Sequence, residues 1–253
     1  MDKSKWAKMS GEDNIKSAPK YIVPTIRLNG KEGSFIKAFV NEKGEFEKRE
    51  LGFQLEGVFL KIRRSYFSFS KTNRLFTNEH NSFKDHITLF EAKELKTGWK
   101  TSMIDSGDCK TIREKFPELK MMQSIYFLFG GEVVKLQVKG KGLGNLFNYW
   151  QEFGADEHTF EVMTSLNSVK ESNSLGTFFA MTFEKARVLD DEEMELVGKK
   201  IEEVSETIEK IENFYSSYKP TQEATGDIEI KDEEIPVINV EEEGSIDVKD
   251  IPF

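Results

Sequence analysis

Ser124-Ile-Tyr-Phe-Leu-Phe129, Gly130-Gly131 and Val133-Val-Lys-Leu-Gln-Val-Lys139 read together as a β-hairpin. Two glycines between β-rich runs supply the positive φ angles that a two-residue hairpin turn needs. On the return strand Val134, Leu136 and Val138 share one face and Lys135, Gln137 and Lys139 the other, so an apolar face backs a basic and polar one. The segment that follows decides the fold class. Gly140 to Gly144 reads as a loop into a helix over about 145–153, which Gly154 stops. Two strands come next, about 158–168 and 177–188, joined by a polar turn at Lys170-Glu-Ser-Asn173. Strands, one helix, then two more strands is the order of a five-stranded Greek-key barrel of the oligonucleotide-binding (OB) type, although a β-sandwich also fits it.

Working back toward the N-terminus, Tyr21 to Leu28, Ser34 to Val40 and a long run from Leu51 to Ser70 read as strands, separated by Asn29-Gly30, Gly33 and Asn41-Glu-Lys-Gly44. Gly52 and Gly57 suit a bulge or barrel corner near the start of the long run. His86 to Glu91 reads as a short strand, and Lys110 to Leu119 as a short helix ended by Phe116-Pro117. Residues 1–19 are polar and aperiodic, a mobile arm.

Beyond the strands, Asp190 and Glu193 form a capping box for a last helix. Its apolar residues, Met194, Val197, Ile201, Val204, Ile208, Ile211, Tyr215 and Tyr218, recur at alternating spacings of three and four. That seam suits either a helix lying on its own barrel or a short homodimeric coiled coil through 194–218. Pro220 closes it, and 220–253 reads as a disordered acidic tail. The expected architecture is therefore mainly β with helices: an OB-fold-like barrel over 20–188 with additional N-terminal strands, a heptad-patterned helix over 189–219, and the tail.

The net charge of −9 is unevenly placed. The tail alone carries −9 and residues 190–212 carry −7, whereas residues 1–189 carry +6. An acidic isoelectric point thus hides a basic body, the asymmetry of a polyanion-binding domain with an interaction tail. With 38% hydrophobic residues and no apolar run near the length of a membrane span, a packed core and no membrane partner are expected. One cysteine, Cys109, and three histidines point to a reducing, cytoplasmic setting with no structural metal and no cofactor.

The densest chemical signal is Lys61-Ile-Arg-Arg-Ser-Tyr-Phe-Ser-Phe-Ser-Lys-Thr-Asn-Arg-Leu-Phe76, with five cations and four aromatics in sixteen residues and no acid. Lys61, Arg63, Arg64, Lys71 and Arg74 would neutralise phosphates while Tyr66, Phe67 and Phe69 stack on unpaired bases, a pairing that suits single strands without sequence choice. Lys135, Lys139 and Lys141 would extend the groove, as would Arg113, Lys115 and Lys120, and Trp99 is a stacking candidate in a long loop. Side-chain alternation puts Lys61, Arg63, Phe67 and Phe69 on one face and Ile62, Arg64 and Tyr66 on the other, with Val58, Leu60 and Ile62 marking the second as the core side. A bulge near Arg64 would reset this and put Tyr66 in the place of Phe67.

Other chemistries have less behind them. Gly140-Lys-Gly-Leu-Gly144 lacks the Gly-Lys-Ser/Thr ending of a phosphate loop. Glu79, His80, Asp85 and His86 could line a nuclease metal site but fall among turn residues and read as a solvated loop. Cys109 has no nearby histidine, so no catalytic residue is assigned and the chain is expected not to be an enzyme.

The sequence ends Ser245-Ile-Asp-Val-Lys-Asp-Ile-Pro-Phe253. An acidic tail closing on Asp250-Ile251-Pro252-Phe253 resembles the C-terminal tip of bacterial and phage single-stranded DNA-binding proteins. The resemblance covers the last four residues and the style of the 34-residue tail. It implies an OB body that coats unpaired DNA, with RNA the open alternative. It also implies a tip, here Asp247, Asp250, Ile251, Pro252 and Phe253, that docks in basic-rimmed apolar pockets on replication, recombination or repair proteins, in the cytoplasm of a bacterium or a phage-infected host. A phage scaffolding protein that oligomerises through residues 194–218 is the alternative class; a metal-dependent nuclease ranks last.

Overall fold

Gly130 and Gly131 have φ of 58° and 81°, both left-handed, as the two-residue turn of the hairpin requires. The computed structural model describes residues 23–41, 45–70, 73–95, 98–174 and 176–217. Its strands are β1 (Thr25–Leu28), β2 (Phe35–Val40), β3 (Phe46–Gly52), β4 (Gln54–Phe69), β5 (Asn73–Thr77), β6 (His86–Leu95), β7 (Gly98–Asp108), β8 (Lys120–Phe129), β9 (Glu132–Val138), β10 (Val162–Asn173) and β11 (Gly176–Val188). The helices are α1 (Cys109–Lys115), α2 (Lys141–Trp150) and α3 (Asp191–Ser217), with one 3-10 turn at Thr159–Glu161. The mobile-arm expectation for 1–19, Lys71, and the tail with Asp247, Asp250, Ile251, Pro252 and Phe253 lie outside the described residues.

The strands form one mixed sheet in the order β3-β2-β1-β9-β8-β4-β5-β6-β7, in which, among the described residues, the β1–β9 pair is parallel and the others antiparallel. Sixteen-residue β4 is the trunk. Gln54 to Gly57 pair with β10, Val58 to Phe67 with β8, and Phe67 to Phe69 with β5. The sheet therefore forks, sending β5-β6-β7 one way and β10-β11 the other. The expected closed barrel is not formed. β1 takes the free edge of β9, Thr25 opposite Lys135, and β11 reaches this hairpin instead, its Phe179 amide donating to the Gly30 carbonyl at 2.9 Å.

Both faces of the trunk are covered. Under α2, Phe59, Phe127, Tyr149 and Phe183 meet edge to face or stacked within a core that also holds Ile26, Leu136 and Leu166. On the opposite face α3 packs Val197, Val204 and Ile208 onto Val58, Leu60, Tyr126 and Leu128. A third cluster, Tyr66, Leu75, Ile87, Leu89 and Leu119, lies under α1 with Cys109 and Ile112. The helix seam is thus buried against its own sheet, and Met194 and Ile201 are partly buried in the same contact. Those side chains are not the free stripe that a coiled-coil partner would need. The capping box forms as the sequence predicts: the Glu193 amide donates to Asp190 Oδ1 at 2.9 Å and the Asp190 amide to Glu193 Oε2 at 3.1 Å.

Several boundaries differ from expectation. Helix α2 begins at Lys141, because Gly142 packs closely on Val138 and Met181 and the supposed loop is its first turn. The 51–70 run is two strands, broken at Phe53 after Gly52, whose φ is 91°. The expected turn at 170–173 is paired strand, Lys170 opposite Phe179. β6 pairs antiparallel with β7, so Trp99 stands in β7, opposite Glu94, rather than in a long loop. Among the described residues no helix is long and apolar enough to cross a membrane.

Candidate nucleic-acid interface

The register of β4 fixes which side chains share a face. Phe59 pairs with Phe127 but Lys61 with Tyr126, so Leu60 is an extra, bulged residue. The bulge lies four residues before the Arg64 position expected from sequence, and it turns the pattern over. Val58, Leu60, Lys61, Arg63, Ser65, Phe67 and Phe69 all belong to the face that α3 covers in part. Lys61, Arg63, Phe67 and Phe69 do share a face, but Val58 and Leu60 do not mark the other one as the core side.

Beneath α3 the cations are engaged. Lys61 Nζ donates to Ser205 Oγ of the helix at 3.0 Å. Arg63 is only 2% exposed, and its guanidinium donates to Asn81 Oδ1 at 2.6 Å and to the Glu79 carbonyl at 2.9 Å, and pairs with Glu212 of α3. Lys135 Nζ lies 2.9 Å from Glu79 Oε1, and the Tyr126 hydroxyl donates to the same carboxylate at 3.0 Å. Burial pushes the Glu79 carboxyl up, but the Lys135 ammonium and these hydrogen bonds outweigh it and hold its pKa below the usual range. The Tyr126 phenol is raised by burial and by the Glu79 charge.

Beyond Arg63 and Ser65 the same face becomes more exposed toward the end of β4. Phe67 and Phe69 have ring centroids 5.0 Å apart, and Phe69 is 48% exposed. In the next strands half-buried Phe76 lies opposite Phe67, and Phe90, itself buried, lies opposite Phe76, the latter two stacked at 5.4 Å. Cations rim this aromatic patch. Lys139 Nζ stands 5.8 Å from the centre of the Phe67 ring. Lys120 is the β8 partner of Phe67, and Arg74 the β5 partner of Phe69. Arg27 joins this rim, since it lies two residues after Thr25, which pairs with Lys135 of β9, and its charge helps to lower the Lys139 ammonium pKa after desolvation.

The remaining candidates go elsewhere. Tyr66 is 1% exposed, stacked on His80 at 5.5 Å and accepting from the Cys109 thiol at 3.3 Å, with Arg113 over its ring at 5.2 Å. It is core, and burial raises its phenol pKa. Arg64 turns to the other side of β4, donating to the Asn81 carbonyl at 2.8 Å and lying 4.5 Å over the Phe83 ring. There it lines an open cleft of about 490 Å3 in the fork of the sheet, with Ile62, Trp150, Phe153, His158 and Phe160. Lys141 is exposed at the start of α2, and Lys115 pairs with Asp105 at 2.9 Å. The Trp99 side chain lies outside the described residues.

Glu79 is partly buried and His80 is 2% exposed, so these two residues form a packed strap across β4, while Asn81, Phe83, Lys84 and His86 are exposed as a solvated loop would be. Among the described residues no three metal-ligating side chains converge. Sequence reasoning missed Arg27 as part of the rim. Its place opposite Ile26 in the alternation was readable, but the parallel pairing of β1 with β9 was not. No protein-family model, curated protein or solved structure matches this chain.

Proposed function

We propose that this chain is a non-enzymatic single-stranded DNA-binding protein that coats unpaired DNA with little sequence preference. The observation that carries the reading is the open patch of Phe67, Phe69 and Phe76 rimmed by Lys139, Arg27, Lys120 and Arg74. Aromatic faces take bases of any sequence, and flanking cations take the phosphates. An aromatic sheet surface offers a splayed single strand this contact and offers a duplex, whose bases are stacked inward, only its cations.

The strand connections support an OB-like body as part of the same proposal. β4 pairs with β8 along one stretch and β10 along another, β8–β9 and β10–β11 are hairpins, and α2 joins them. That is the order of a five-stranded OB module, with β5–β7 inserted after its first strand and the β1–β2 hairpin wedged where β9 and β11 would otherwise meet. The terminal Asp250-Ile-Pro-Phe253 would recruit replication, recombination or repair proteins, its apolar side chains filling a pocket and its carboxylates meeting basic groups.

Fluorescence-anisotropy titration with oligo(dT) and with a duplex of equal length, at two salt concentrations, tests the proposal. The expected result is tight single-strand binding, much weaker duplex binding, and a log–log salt slope of about −3 for roughly four phosphates. Equal affinity for both forms, or no salt dependence, would overturn it.

A further inference from the structure

The Arg63 guanidinium sits in a socket with one replaceable wall. Asn81 Oδ1 and the Glu79 carbonyl hold it from the strap, both neutral acceptors belonging to the body of the domain. Among the described residues its ion-pair partner is Glu212, about one turn beyond the last buried seam residue, Ile208. Glu212 itself is 45% exposed, and the Arg63 Nε–H has no acceptor. A cation held by two neutral groups, with a spare donor and a half-exposed carboxylate on its last side, has the makings of an anion receptor whose present occupant is tethered.

The position of this receptor matters. Arg63, Ser65, Phe67 and Phe69 succeed one another on the same face of one strand, roughly 6.6 Å apart, so the row continues unbroken from beneath α3 into the open aromatic patch. Helix α3 runs along β4 in the same sense, Ser205 meeting Lys61 and Glu212 meeting Arg63, so its C-terminal turns lie toward the patch. Lifting the whole helix would expose Val197, Val204 and Ile208, which are 2–5% exposed. Lifting only the turns after Ile208 exposes a half-buried Ile211 and breaks the Arg63–Glu212 ion pair while leaving that seam in place.

We infer that the last two turns of α3 are a releasable latch, in which the Glu212 carboxylate occupies a phosphate position on Arg63 and gives way when a polynucleotide lies along Phe69 and Phe67. The inference rests on the proposed single-strand binding and adds its regulation. Exchange of a carboxylate for a phosphate keeps the Arg63 charge paired throughout, so the swap avoids an isolated buried cation. The latch raises the threshold for binding, because each bound strand must displace the resident anion.

The test is Glu212→Gln in the full chain, which keeps the shape and removes the competing charge. With oligo(dT) the variant should bind about threefold to tenfold more tightly at low salt, with a slope steeper by about 0.7, one additional phosphate. Hydrogen exchange read by mass spectrometry on the wild type should show amides of 209–217 losing protection on oligo(dT) addition while those of 197–208 keep it. If the wild type binds oligo(dT) but the variant matches it in affinity and slope and 209–217 stay protected, Glu212 merely pins the helix and the latch is wrong. Should the wild type bind no single strand, the proposed function fails first, and the latch with it. A melting curve of Glu212→Gln separates a loosened helix from an unfolded domain; a variant that unfolds hands the decision to the exchange experiment on the wild type.

Discussion

Replacing Phe69 by alanine separates binding from folding more cleanly than any other change in the patch. The ring is 48% exposed, so about half of its surface already meets water. Fully burying a phenylalanine is worth about 1.5–3 kcal/mol, and truncation at this site should therefore cost about 1 kcal/mol of stability. Stacking of one base on such a ring is worth about 1–3 kcal/mol, which is a loss of roughly 5-fold to 150-fold in affinity. Phosphate contacts alone set the salt slope, so lines of log K against log salt for Phe69→Ala and wild type should be parallel. Lys139→Ala should instead flatten the line by about 0.7. Paired anisotropy titrations and melting curves measure both quantities on one preparation. Phe67→Ala, whose ring touches Phe69 at 5.0 Å, should behave alike with a larger stability loss. Tyr66→Ala should lose about 3–5 kcal/mol of stability, because Tyr66 is core. Unchanged affinity for Phe69→Ala, with or without a stability loss, would refute the stacking role.

Gly57→Ala should destabilise by about 2 kcal/mol or more, because a Cβ there collides with the Leu128 carbonyl and the Phe127 ring and must push β4 from β8; urea unfolding measures it, and a neutral result would contradict the packing. Glu193, bound by Arg187 and the Asp190 amide, has its pKa lowered from 4.5 to about 2, so its stabilisation is complete above about pH 4.5 and is lost as the pH falls toward 2. Glu193→Gln should accordingly melt below wild type near neutral pH, and the gap should close over that acidic window; a gap independent of pH would remove the role assigned to the charge. Deleting residues 245–253 should leave oligo(dT) binding unchanged or slightly stronger while abolishing pull-down of purified replication or repair proteins, and Phe253→Ala should reproduce only the second effect. Retention of every partner by both variants would refute a docking role for the tip.

The hairpin at 124–139 and the capped helix after Asp190 were legible because each is written locally, in a glycine pair between apolar runs and in a serial seam with its cap. Pairing partners were not. The parallel contact of β1 with β9, and the choice of β4 as a trunk shared by β8, β10 and β5, are long-range decisions that leave no mark within either strand. The seam at 194–211 carried a related ambiguity. Three-four spacing states that a helix has an apolar stripe, and only the apolar surface of Val58, Leu60, Tyr126 and Leu128 states that the stripe is met within the chain.

For the site, alternation put Lys61, Arg63, Phe67 and Phe69 together and then misjudged what lay behind them. The rule assumes that a strand has one wet face and one dry face, whereas β4 is covered on one face by α2 and along half of the other by α3. The bulge at Leu60 removed the remaining guide, since Val58 and Leu60 turn to the same side as the cations. A charge run of this kind is thus divided by tertiary structure rather than by sequence: Lys61 and Arg63 are held by α3, Arg64 turns to the cleft, and among the described residues of the run Phe67, Phe69 and Arg74 meet the patch. The division also explains why so basic a strand is tolerated beneath a helix. Helix α3 is acidic from Asp190 to Glu212, and its Glu212 carboxylate supplies the anion that a buried Arg63 must have. Without Glu212 that guanidinium would keep only its neutral acceptors, Asn81 Oδ1 and the Glu79 carbonyl, so it is this one acid, not the acidity of the helix as a whole, that answers the strand beneath it.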